Sequence, residues 1–119
     1  VRLQDLRALA HCEQQELELV PDRCEYVPGA TARVLCSLAE LAFQPAQALA
    51  VLTSDGVVER RHVDLSPGAQ DLVLDFSILG RFIPGLQLAV FVLGSDGARP
   101  AWAVGRCELA VAAAPQRRL

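Results

Sequence analysis

The chain has 119 residues, 52% of them apolar and 21% charged, with a formal net charge of −3. Such a chain fits one globular domain that can bury a core. The apolar content excludes long disorder, no apolar run approaches the roughly 18 residues of a membrane helix, and no basic stripe of the kind that tracks nucleic acid is present. All 11 basic residues are arginine, and there is no asparagine, so no N-glycosylation acceptor exists. The chain starts without Met and shows no charged-then-apolar leader; we read it as a segment of a longer chain, with any secretion signal outside it.

Residues 1–15 form a leader or interdomain linker in which Leu3, Leu6 and Leu9 recur at a spacing of three. From residue 16 the period becomes two. Glu16 to Val20 alternates and stops at Pro21, and Pro28-Gly29 marks a turn. In Thr31 to Leu38 the set Ala32, Val34, Cys36 and Leu38 forms the core face. Ala46 to Thr53 is a short apolar run, and Val57 to Leu65 carries Glu59, Arg60, Arg61, His62 and Asp64, which suits an exposed edge strand. Asp55-Gly56 between them is a hairpin signal.

After the Ser66-Pro67-Gly68 turn, Leu72, Leu74, Phe76 and Ile78 share one face, opposite Asp71, Val73, Asp75 and Ser77. Gly80 to Gly85 is a loop. Leu86 to Leu93 is nearly all apolar, which predicts a central strand covered on both faces. Trp102 to Val111 is the last strand, and residues 113–119 are an exit linker. The result is an all-β chain of seven strands, a seven-stranded antiparallel β-sandwich over 16–112. The gaps are too short for the crossover helices of a parallel sheet.

The four cysteines are Cys12, Cys24, Cys36 and Cys107, with no C-x-x-C pair, and the histidines are His11 and His62. Zinc ligands usually come in close pairs, so no metal site is predicted. An even count without metal spacing suits two disulfides in an oxidising compartment. The alternative is four buried free thiols, and three pairings stay open.

No nucleophile elbow, P-loop or dinucleotide fingerprint occurs. His62 reads as a solvated edge residue, and His11 as an exposed linker residue. Asp71 and Asp75 lie about 13 Å apart along a strand, too far to share a proton. Asp55 and Asp96 sit in turns for backbone reasons. No set of nucleophile, base and orienting group assembles, so we expect no enzyme activity and no cofactor. Trp102 is either a packing residue or an anchor for a partner. The compact loop Phe82-Ile83-Pro84 reads as core closure or as an interdomain contact.

Several landmarks recur in order: Glu25-Tyr26-Val27-Pro28-Gly29-Ala30-Thr31, Ser66-Pro67-Gly68 leading into Asp71 to Leu74, Phe76-Ser77-Ile78, and Phe82-Ile83-Pro84 before the Leu86 to Phe91 strand that ends at Asp96-Gly97. From Leu17 to Val111 the chain resembles a macroglobulin-like domain of the alpha-2-macroglobulin and complement component superfamily. Among that family's several such domains, the fifth looks closest. The thioester signature is absent, as is a bait-like insertion, and Ala103-Val104-Gly105-Arg106 stands where the family often has an Ala-Asp-Ser-like start.

The resemblance implies a secreted, extracellular, non-catalytic scaffold module of a protease-inhibitor or innate-immunity protein. Its partners would be neighbouring domains, with protease or complement proteins beyond them. Cys36 and Cys107, both on inferred core faces, would bridge the sheets, leaving Cys12 with Cys24, or one of these two with a partner domain. Phe82, Ile83, Pro84 and Trp102 are the candidate interface. The alternative is an immunoglobulin- or fibronectin-like binding module of a receptor or adhesion protein, although its Cys…Trp…Cys order is missing. An accessory domain of an intracellular protein is the third reading.

Overall fold

The computed structural model describes residues 14–112. They form eight strands: β1 (Gln14–Glu16), β2 (Leu19–Pro21), β3 (Thr31–Ser37), β4 (Gln44–Thr53), β5 (Val57–Asp64), β6 (Asp71–Ser77), β7 (Gly85–Ser95) and β8 (Pro100–Ala110). The only helical element among the described residues is a 3-10 turn, Gly80–Phe82. Two sheets result, a five-stranded one in the order β1-β8-β7-β4-β5 and a three-stranded one in the order β2-β3-β6.

The expected first strand is divided between the sheets. β1 runs parallel to β8, pairing Glu16 with Val104. β2 then pairs antiparallel with β3, placing Leu19 opposite Cys36. The chain changes sheets at Leu17, whose N–H still donates to the Val104 carbonyl at 3.0 Å. Gly105 permits the crossing, because a Cβ there would lie 2.6 Å from the Leu17 carbonyl oxygen. The alternation through Glu16 to Val20 is therefore continuous in sequence but serves two ladders.

Other elements follow their sequence signals. Asp55, at φ 49°, and Gly56, at φ 110°, turn the β4–β5 hairpin, and β5 forms the edge of its sheet. In the β7–β8 turn, Asp96 Oδ1 accepts from the N–H groups of Ala98 and Arg99 at 3.1 and 2.9 Å. Those two bonds hold its carboxyl below the usual range.

One core lies between the sheets. Ala32, Val34, Cys36, Leu72, Leu74 and Phe76 supply one side; Ala48, Ala50, Leu52, Leu86, Leu88, Val90, Val92, Ala103 and Leu109 supply the other. Tyr26, 1% exposed, closes one end of the core. Its backbone bridges Val111, and its hydroxyl donates to Asp22 Oδ1 at 2.6 Å while accepting from the Arg23 N–H at 3.3 Å. Asp22 Oδ1 also accepts from the Arg33 N–H at 3.1 Å. The buried phenol thus keeps its hydrogen bonds.

The expected bridge between sheets does not form. Cys36 is buried in β3, Cys107 is half-buried in β8 and Cys24 is exposed, and all three are unbonded thiols. A disulfide holds its Cα atoms within about 7 Å, which across a sandwich only closely opposed inward positions reach. Facing inward from both sheets is therefore not sufficient for a bond. Burial instead pushes the Cys36 thiol up to about 11 and raises that of Cys107. The proposed partner Cys12, with His11 and both linkers apart from Gln14 and Gln15, lies outside the described residues.

Candidate interaction face

The two sheets differ on the sides turned away from the core. In the five-stranded sheet the register aligns outward side chains into rows. One row runs His62, Leu49, Phe91, Val104 and Glu16 across β5, β4, β7, β8 and β1. On one side of it lies the row Arg60, Val51, Ala89 and Arg106. On the other lies the row Asp64, Gln47, Leu93 and Trp102. Apart from Gln47, apolar groups fill the middle, and charged groups stand at the lateral rims.

Leu49, Val51, Ala89, Phe91, Trp102 and Val104 are half-buried, and Leu93 is 41% exposed. Neighbours within the sheet contribute to this shielding, since paired side chains stand only about 4.5–5.5 Å apart. Among the described residues the second sheet lies wholly on the other face. The expectation that β7 is covered on both faces is thus corrected: its inner face packs on β3 and β6, while Phe91 and Leu93 meet solvent. A run of apolar residues states that a strand has two apolar faces. It does not state what covers the second.

The outward side of the three-stranded sheet carries one apolar row, Val20, Leu35 and Val73, in mutual register and 48%, 42% and 51% exposed. Next to it, Arg33 Nε pairs with Asp75 Oδ1 at 2.9 Å. Ser37 stands opposite Asp71 on the other side. Polar rows therefore interrupt the apolar surface after a single row.

Arg61 closes the open side between β5 and β6. Its guanidinium lies 4.6 Å from the Phe76 ring centroid, donates from Nη1 to the Asp75 carbonyl at 2.8 Å and pairs with Glu59. The accepting carbonyl belongs to the edge strand β6, so this bond occupies part of an edge that another strand could use.

The structure separates the residues expected to form one interface. Phe82 is 3% exposed and belongs to the core; its neighbours on the 3-10 turn lead it inward. Ile83 and Pro84 are exposed at a cis peptide just before β7. Trp102 pairs with Leu93 near the far end of β7, about 30 Å away along the strand. Only Trp102 joins the apolar rows. Leu49, Val51, Phe91 and Val104 were missed as interface residues, although the apolar character of their segments was the signal.

Among the described residues no group of three His, Cys, Asp or Glu side chains is placed to hold a metal ion. No helix there is long and apolar enough to cross a membrane. The chemistry available on the five-stranded face is apolar contact with charged rims.

No protein family matches the chain, and no curated protein matches it. Among solved structures, the sulfur carrier protein SoxY from Chlorobium limicola f thiosulfatophilum is similar, with a TM-score of 0.51 and 12% identity over 91% of this chain and 86% of that one. That likeness concerns the fold alone. The sporulation control protein Spo0M from Bacillus subtilis aligns with a TM-score of 0.43 and 14% identity, over 84% of this chain and 50% of that one.

Proposed function

We propose that this chain is a non-catalytic β-sandwich module that packs the outer face of its five-stranded sheet against another domain. The observation that carries the reading is the set of three adjacent outward rows centred on Leu49, Phe91 and Val104. A contiguous apolar surface rimmed by charge marks an interaction site more often than isolated exposed hydrophobics do.

The sequence landmarks support placing the module in a secreted protein of the alpha-2-macroglobulin and complement type, where such domains frame a larger assembly. The extracellular placement rests on that resemblance, because the three described thiols are unbonded. The alternative, an immunoglobulin- or fibronectin-like binding module, meets one departure on its immunoglobulin side. In constant immunoglobulin domains the fourth strand joins the sheet of the first, second and fifth. Here β5 pairs with β4 instead of β6.

Photoactivated carbene labelling tests the reading. Leu49, Phe91 and Leu93 should label strongly in the 119-residue chain at high dilution, where any self-association is dissociated, and severalfold less in a full-length gene product that carries further domains. Equal labelling in both would refute a docking role for this face.

A further inference from the structure

The five-stranded face is complementary to itself, and we propose that the domain it accepts is a second copy of this chain. The inference rests on reading this face as a docking surface. The two copies meet face to face about a two-fold axis that crosses the strands along the Leu49–Phe91–Val104 row. A two-fold interface uses the same patch on both subunits, so each residue must fit whatever the axis brings opposite it.

Rotation about that axis exchanges the two flanking rows. Arg60 of one copy then faces Asp64 of the other, twice per dimer. Small Ala89 faces large Leu93, and Arg106 approaches Trp102, a cation over an aromatic ring. These placements follow from the register alone, in which Arg60 pairs with Val51, Asp64 with Gln47, Ala89 with Arg106 and Leu93 with Trp102. On the axis, Leu49, Phe91 and Val104 meet their own copies as an apolar centre. At its ends His62 and Glu16 also meet themselves. Both are exposed, and water screens like charges at such a rim.

A two-fold axis parallel to the strands and midway between β4 and β7 is disfavoured, because it would set Arg60 against Arg106. Packed sheets cross at about 30°, which displaces the rims by about 5 Å, within reach of an arginine side chain. Five strands by these three rows span about 19 by 14 Å. That projected area is small beside the roughly 800 Å² per partner of a standard interface, so association in the micromolar range is expected.

Sedimentation equilibrium on the 119-residue chain, from about 1 to 200 µM, tests the proposal. The expected result is a monomer–dimer equilibrium with a dissociation constant on the order of 10 µM. Phe91→Glu should weaken it more than about a hundredfold. Arg60→Asp and Asp64→Arg should each weaken it about tenfold, and the double exchange should restore it, as a direct contact between these residues requires. Leu93→Lys serves in place of Phe91→Glu if circular dichroism shows that the latter is unfolded. A monomer throughout, a dimer indifferent to Phe91→Glu, or no restoration in the double exchange would overturn the proposal. Anilinonaphthalene sulfonate separates the two failures. A monomer that binds the dye through Phe91 keeps its docking face with a different occupant, whereas a monomer that binds none loses both readings.

Discussion

The outward sides of the two sheets are built from the same strand period and differ in what occupies alternate positions. On the three-stranded sheet, one apolar row, Val20–Leu35–Val73, lies beside the Arg33–Asp75 pair. On the five-stranded sheet, three neighbouring rows have centres that are apolar except at Gln47, and charges such as Arg60, Asp64 and Arg106 stand only at the rims. The first arrangement is that of an ordinary solvated sheet face. The second places desolvatable area in the centre and orienting charge around it, as a docking surface requires. Exposure of single residues misleads here. Val73 is more exposed than Leu93, yet Leu93 belongs to the larger apolar surface.

The strongest way to break this contrast is to disturb the crossing that divides the chain between the sheets. Gly105→Val places a side chain against the Leu17 backbone, where neither strand can retreat without leaving its ladder. The substitution should cost about 3 kcal/mol or more. Thermal unfolding followed by circular dichroism should show a midpoint lowered by more than about 10 °C. An unchanged midpoint would mean that the two sheets do not depend on this crossing.

A smaller effect compares neighbours on one strand. Val34 is fully buried and Leu35 is 42% exposed. Val34→Ala removes two methyl groups from the core and should cost about 2 kcal/mol. Leu35→Ala removes more carbon from the solvated face and should stay within about 0.5 kcal/mol. Urea denaturation resolves the difference; equal costs would show that the outer row of the small sheet is covered.

The smallest effect is a slope in alkali. Burial, with the Asp22 carboxylate beside it, pushes the Tyr26 phenol from 10.0 up to about 12. A raised folded-state value means that the unfolded chain loses its proton first. The stabilisation is complete below pH 10 and is lost as the pH rises towards 12. Cys36, raised from 9.0 to about 11 by burial, adds a loss over that lower window. Tyr26→Phe should therefore flatten the slope above pH 10 and leave the Cys36 part. In acid the sign reverses: the Tyr26 hydroxyl and then the Arg33 N–H hold Asp22 below its ordinary range. Its contribution is present above that range and is lost as the pH falls through the lowered value.

Much of the fold was legible because local rules governed it. Asp55-Gly56 made its hairpin, the charged β5 lies at an edge, and the Leu72, Leu74 and Phe76 face points into the core. Each outcome follows from backbone freedom or from a period of two within a few residues. The division of the first strand was not legible, because Glu16 to Val20 alternates without interruption while Gly105, the residue that admits the crossing, lies on the last strand. The candidate site was legible only as composition. Ala46 to Thr53 and Leu86 to Leu93 announced apolar strands, but the partner row from Trp102 to Arg106 joins them only through register.

The sequence by itself determined where the hairpins turn and which side chains alternate, since these are properties of neighbouring residues. Tertiary structure alone decided that Cys36 and Cys107 remain apart in separate sheets, that Phe82 belongs to the core and not to an interface, and that Leu49, Phe91 and Val104 form one row. Those outcomes depend on pairing between residues far apart in the chain, and a period of two carries no information about which strand lies alongside.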